Sequence, residues 1–174
     1  MNTRSAQVGG GVPKVRRLRS DEANELRIAR LAMLGDEPYR AAFLGREEGF
    51  DDDDWRRRAT EGASSTEFAT FVVPTERGWA GVTDVVLRDP DTTEIGGMWV
   101  YPEHRRRGVG RALLEAAVHW SAKRGARQVS LTVVTSNREA SALYESAGFL
   151  LDGDPIPART SRVLLQRMTR PFPR

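Results

Sequence analysis

Cysteine is missing from this chain of 174 residues. That absence excludes a disulfide framework, a thiol nucleophile and any thiolate metal site. Lysine is nearly missing too, present only at Lys14 and Lys123. Arginine supplies the basic charge, and the formal net charge is only +3. A balance that small does not argue for a nucleic-acid protein. No apolar run is long enough to cross a bilayer. The opening "MNTRSAQVGGGVP" lacks the apolar stretch that marks a signal peptide, so cytoplasm is the expected location. Histidine occurs twice, as His104 and His119, outside any metal-ligand cluster. No metal is expected.

What is present describes a globular chain. Hydrophobic residues make up 39% and charged residues 29% of it. The length suits one domain with a real core. Residues 1–11 read as a polar, glycine-rich, disordered tail, and 12–174 as a single domain.

The elements alternate. A short strand is expected over 12–18, then a helix capped by Ser20 and running to Leu34. Ala23, Leu26, Ala29 and Met33 share its apolar face. Residues 35–49 read as a loop broken by Pro38. The run Asp51, Asp52, Asp53, Asp54 opens a second helix, where acidic side chains suit the dipole. Strands follow over 67–73, 79–87 and 94–100, joined by two hairpins and hence antiparallel. A helix over 108–123 stops at Gly125, and a strand covers 128–134. "SNRE" at 136–139 reads as a capping box for another helix, ended by Gly148. Segments 149–151 and 162–168 complete the sheet. The strand–helix–strand unit over 94–134 requires a right-handed crossover and a parallel pair. The fold class is mixed α/β (α+β): a central, mostly antiparallel sheet with one parallel strand pair, flanked by helices. Gly96 and Gly97 mark a bulge that splays that pair.

The stretch "HRRRGVGRALLEAA" at 104–117 lies where a strand turns into a helix. Gly108 and Gly110 let backbone approach a ligand closely. The first helical turn exposes amide N–H groups at the positive end of the dipole. Together these form an anion site suited to phosphate or pyrophosphate. Arg105, Arg106, Arg107 and Arg111 add charge around it. The pattern is neither a Walker loop nor a dinucleotide fingerprint. Read alone, it equally describes a solvated basic turn.

Two longer stretches decide between these. "EIGGMWVYPEHRRRGVGRALL" and "TSNREASALYESAGF" resemble the two signature motifs of the GNAT superfamily of acetyl-CoA-dependent N-acetyltransferases. The motifs cover 94–149 in the right order, and the remaining elements also fit. The resemblance implies acetyl-CoA as acetyl donor and cofactor-like substrate, a primary amine as acceptor, and direct attack in a ternary complex. Without cysteine, an acetyl-cysteine intermediate is excluded.

The same resemblance implies roles for residues. The backbones of Met98, Trp99 and Val100 would pair with the pantetheine arm. The Met98 N–H would donate to the thioester carbonyl. Arg105, Arg106, Arg107, Gly108, Val109, Gly110 and Arg111 would wrap the pyrophosphate. Asn137 would bond the pantetheine, and Tyr144 would protonate the departing thiolate. Spacing alone favours a core tyrosine on the apolar face of its helix; the motif favours the acid. Glu94 would be the general base, by analogy with the histone-acetylating branch; otherwise it is a polar residue at a strand start.

The acceptor is expected between the first two helices and the sheet. That region is 35–55, together with Trp79; Glu37, Glu47, Glu48 and the aspartate run could attract a cationic amine, while Tyr39, Phe43 and Phe50 could line an apolar wall. The partner is a small-molecule or peptide amine, with neither nucleic acid nor membrane expected. Dimers are common in the superfamily. The alternative is a non-catalytic acyl-CoA-binding sensor on the same fold. A third reading, a nucleic-acid module built on the arginines, predicts salt-sensitive binding.

Overall fold

A computed structural model describes residues 12–36, 46–159 and 162–173. The expected tail at 1–11 and the residues Glu37, Pro38, Tyr39 and Phe43 lie outside the described residues.

The sheet is built from β1 (Arg16–Arg17), β2 (Phe68–Thr75), β3 (Gly78–Asp89), β4 (Thr92–Val100), β5 (Gln128–Val134), β6 (Leu150–Leu151), β7 (Ile156–Pro157) and β8 (Leu164–Pro171). Its order is β1-β2-β3-β4-β5-β8-β6, with β7 also paired to β8. Each pairing is antiparallel except β4 with β5. The strand–helix–strand unit thus forms the parallel pair its connection demands.

Helices α1 (Ala23–Leu34) and α2 (Asp52–Ser64) cover one face. Leu26 and Ala29 of α1 and Trp55 and Ala59 of α2 pack there with Val72 and Val82. Helices α3 (Val109–Lys123) and α4 (Arg138–Ser146) belong to the other face. Leu114, Ala117 and Val118 of α3 and Tyr144 of α4 pack with Val85, Ile95, Val129 and Leu131. Each fully buried Leu or Val contributes roughly 1.5–3 kcal/mol by leaving water.

Local chemistry corrects three expectations. The first helix begins at Ala23, and Ser20 does not cap it. Glu22 occupies the cap position, but its carboxylate accepts from Arg16 at 2.5 and 2.7 Å and from the Arg19 amide at 3.0 Å. The capping box at 136–139 is also displaced. The Asn137 amide donates to the Val134 carbonyl at 2.8 Å, which turns the chain one residue past Ser136. Asn137 Oδ1 then accepts from the Ala140 N–H at 3.1 Å and caps α4. Finally, β1 holds only two residues, far short of 12–18. The Arg17 guanidinium instead reaches the carbonyls of Gly62, Ser65 and Phe68.

The aspartate run does open α2. Asp51 accepts from the Asp54 N–H at 2.8 Å, and Asp54 accepts from the Asp51 N–H at 3.1 Å. Short acidic side chains therefore serve both halves of a capping box.

Candidate functional site

The parallel pairing of β4 with β5 runs from Thr92↔Gln128 to Ile95↔Leu131 and ends there. Beyond that point β5 stays on β8, and β4 stays on β3. The two strands part, and among the described residues no strand lies against the β4 edge from Gly96 to Val100 on its β5 side. The cause is local. Between Trp99 and Gly96, β4 takes three steps while β3 takes two from Val82 to Asp84. Gly97 absorbs the extra residue at φ +52°. Gly96 and Gly97 thus build the bulge their position predicts. An edge of this kind can pair with an extended ligand as a strand would.

The anion loop lies directly after β4. Arg106 at φ +61° and Gly108 at φ +78° both enter the left-handed region. Gly108 is the N-cap of α3. Its carbonyl takes the first helical bond, from the Ala112 N–H at 3.0 Å. The amides of Val109, Gly110 and Arg111 therefore precede the first helical donor and point out of the helix end. A Cβ on Gly110 would lie 3.4 Å from Leu143 Cδ2, so Gly110 also lets α3 and α4 close up.

The arginines have separate occupations. Arg105 Nε donates to the Val100 carbonyl at 3.1 Å, and its guanidinium pairs with Asp36. Arg106 faces Glu139 at 3.6 Å, with both side chains exposed. Arg111 Nη2 donates to Ser146 Oγ at 2.6 Å. Arg107 is exposed. The helix-end amides are open to an anion, with the exposed Arg107 beside them. Open amides and an open strand edge in succession fit a pyrophosphate followed by an amide-bearing arm.

The remaining expected residues are spread around the splay. Met98 packs against the core beneath α3, in the cluster that also holds Tyr144. Tyr144 is buried, with its ring 6.1 Å from that of Phe149. Asn137 commits its Oδ1 to the cap of α4, which leaves its amide NH2 as the donor. The Trp99 side chain is buried, and its Nε1 donates to Asp36 at 2.8 Å. Glu94 lies in the zipped part of the parallel pair, opposite Ser130. Both its oxygens accept from Arg88, at 2.9 and 3.0 Å. His104 and His119 take part in no metal cluster, and among the described residues no group of three potential ligands comes together.

On the acceptor side, most of the acidic charge is already matched. Asp52 pairs with Arg27 at 3.1 Å, Asp53 with Arg56 at 2.5 Å and Glu47 with Arg58 at 3.7 Å. Asp54 pairs with Arg57 as well as serving the cap. Glu48 is exposed. Phe50 packs edge-on against Trp55, and Trp79 belongs to the core.

Sequence reasoning missed a charged cluster under the bulge. Arg30 of α1 is 1% exposed. Its Nη2 lies 2.6 Å from Asp84 Oδ2, an ion pair of close approach without an aligned N–H. Asp84 Oδ2 also accepts from Arg58 at 2.6 Å, and Oδ1 accepts from Thr70 Oγ1 at 2.6 Å. Burial works against the Asp84 carboxylate, but Arg30 and Arg58 outweigh it and hold the group below the usual range. The available signal was an aspartate inside an apolar strand run, "GVTDVVL".

Residues 31–149 match the family described as Acetyltransferase (GNAT) family. Over 68 residues the chain is 44% identical to the [Ribosomal protein bS18]-alanine N-acetyltransferase of Escherichia coli. That match covers 39% of this chain and 44% of that enzyme, so the chain spans under half the length of this curated relative. A GNAT-family acetyltransferase from Streptococcus pneumoniae superposes with a TM-score of 0.76 at 19% identity, over 91% of this chain and 99% of that one. The Salmonella typhimurium protein yncA, solved with acetyl-CoA, superposes with a TM-score of 0.75 at 17% identity, over 92% and 94%.

Proposed function

The chain belongs to the GNAT family of acetyltransferases, and on that premise we propose that it moves the acetyl group of acetyl-CoA to a primary amine by direct attack. The observation that carries this reading is the open β4 edge leading into the Gly108-capped helix end. The first suits an amide-bearing pantetheine arm laid down as an added strand. The second suits the pyrophosphate.

The amine nitrogen attacks the thioester carbon, and negative charge develops on the carbonyl oxygen. The Met98 N–H is the proposed donor to that oxygen, an effect that can be worth about 3 kcal/mol. The carbon–sulfur bond then breaks. Tyr144 is the proposed acid for the departing thiolate. A phenol of ordinary pKa ~10 can protonate a thiolate whose acid has pKa ~8.5 when the two are held together. Backbone at Trp99 and Val100 and the NH2 of Asn137 are proposed to hold the pantetheine. The loop from Arg105 to Arg111 is proposed to hold the pyrophosphate.

The amine must lose a proton to attack. Glu94 is the proposed base, acting through water. Four residue steps of strand separate it from Met98, roughly 13 Å at the usual rise. A direct transfer over that span is excluded, and one Arg88 contact must open to free an oxygen. On the acceptor side, the exposed Glu48 is proposed to attract a cation. The relative from Escherichia coli acts on an alanine of ribosomal protein bS18; for this chain the acceptor class is a peptide or small-molecule amine in the cytoplasm. No helix among the described residues is long and apolar enough to cross a membrane.

Incubation with acetyl-CoA and a panel of peptide N-termini, lysine peptides and small amines tests this. Gain of one acetyl group on an amine, read by mass, is the expected result. Binding of acetyl-CoA with no acetylated product would favour the acyl-CoA sensor instead.

A further inference from the structure

Arg30 is one of the largest fully buried side chains of the protein, and it ends at the bulge of β4. Its Nη1 donates to the Gly97 carbonyl at 2.9 Å. Gly97 and Met98 have no partner residues in the register with β3, and β5 has already left at Ile95. The ladder is locally disrupted at the peptide between them, where Arg30 holds the carbonyl.

We infer that Arg30 is a positioning residue for acyl transfer, fixing the Gly97–Met98 peptide so that the Met98 N–H faces away from α1 as the oxyanion donor. This rests on the acetyl-transfer reading above. A trans peptide is planar, with its C=O and N–H pointing in opposite directions. Holding one end fixes the other. The donor is also a cation, and a charge-assisted bond to the carbonyl polarises the peptide and strengthens its N–H as a donor.

Two observations separate this role from simple neutralisation of Asp84. Arg58 already bonds the same Asp84 oxygen at 2.6 Å without touching Gly97. Arg30 also keeps its Nε buried without a hydrogen-bond partner, a cost to stability that its reach to Gly97 accounts for. The fit is mutual: a Cβ on Gly97 would lie 2.3 Å from Arg30 Nη1.

The only Gly–Met step in the sequence is Gly97–Met98. Labelling glycine carbonyls with carbon-13 and methionine amides with nitrogen-15 therefore gives a single correlation in the full-length protein. Arg30→Lys keeps a cation for Asp84 and removes the fork that also reaches Gly97. It is expected to shift that correlation and to lower kcat on the order of tenfold to hundredfold, as loss of oxyanion-donor alignment should. The Kd for acetyl-CoA should stay within about twofold, since the carbonyl donor acts in the transition state. Arg58→Lys disturbs the same carboxylate and is expected to leave both the correlation and kcat in place.

An unmoved correlation, or an unchanged kcat in folded Arg30→Lys, overturns the inference. An equal fall in kcat for Arg58→Lys overturns it too, because stability alone would then explain the effect. If Arg30→Lys does not fold, the wild-type protein decides. Scalar coupling across the hydrogen bond, from an arginine Nη to the labelled carbonyl, is expected; its absence overturns the assignment. A wild-type protein that acetylates nothing overturns the transfer reading and this inference with it. Wild-type turnover matched by Arg30→Lys overturns this inference alone.

Discussion

Arg111 Nη2 donates to Ser146 Oγ at 2.6 Å, tying the helix behind the glycine loop to the helix that carries Tyr144. Ser146 Oγ in turn donates to the Leu143 carbonyl at 2.7 Å. An arginine next to the anion loop thus has a partner within the fold. Arg111→Ala is expected to weaken acetyl-CoA binding by at most about 1 kcal/mol, roughly fivefold in Kd. Ser146→Ala keeps the charge and removes the tie. Calorimetric titration of both variants checks whether the charge or the tie matters, and the charge is expected to account for the loss.

Gly108 is the position where backbone conformation should matter most for the cofactor. At φ +78° its nearest neighbour among the described residues is Pro13 Cδ, 4.0 Å from a built Cβ. A side chain there meets no obstacle and still carries strain. Gly108→Val is expected to cost about 1–2 kcal/mol in the bound loop, a rise in acetyl-CoA Kd on the order of tenfold. Relaxation of the loop in the free protein is expected, so the stability read from the melting temperature should move less than the binding free energy. A large loss of Tm with unchanged Kd would place the strain outside the binding site.

The glycine loop was readable because its information is local. A left-handed N-cap and a close helix approach both call for glycine, and the sequence supplies it at 108 and 110. The helices and the central strands were readable from hydrophobic period. The cap of α4 was less so, because "SN" offers two adjacent candidates and only the Val134 turn decides between them. Arg30 was not readable at all. It follows Ala29 on α1 and reads as a solvated residue, since arginines are almost never fully buried. Its partners Asp84 and Gly97 come from distant strands. Only the tertiary fold brings the three together.

Tyr144→Phe separates chemistry from packing. The ring is buried against the core, and phenylalanine preserves its shape. Folding and acetyl-CoA affinity should be retained. Loss of the proposed acid is expected to lower kcat by about 10²–10⁴. Equal kcat in the two proteins would assign Tyr144 to the core alone.

Acid should unfold the protein through carboxylates held below their ordinary range, Glu22 and Asp84 among them. Arg16 holds the Glu22 carboxyl below the ordinary range by its paired hydrogen bonds, against a smaller opposing effect of burial. Asp84 is also held below its ordinary value, by Arg30 and Arg58 against burial. Both bind fewer protons folded than unfolded. Their contribution is therefore complete above the ordinary carboxylate values, about 3.9 for Asp and 4.3 for Glu, and is lost as pH falls below them through the depressed folded values. Denaturant midpoints should be flat on this account from neutral pH to about 5 and fall below it. Arg16→Met should soften that fall, because Glu22 then titrates nearer its ordinary value. A midpoint unchanged down to pH 3 would contradict this, pH 3 being below both ordinary values.

The most direct measurement is thiol release from acetyl-CoA, followed with a thiol reagent across the amine panel. The chain has no cysteine and adds no thiol background. Release that requires both the protein and an amine, and that saturates in acetyl-CoA, is the predicted result. A protein that neither binds acetyl-CoA at micromolar concentration nor releases thiol with any amine in the panel would contradict the account.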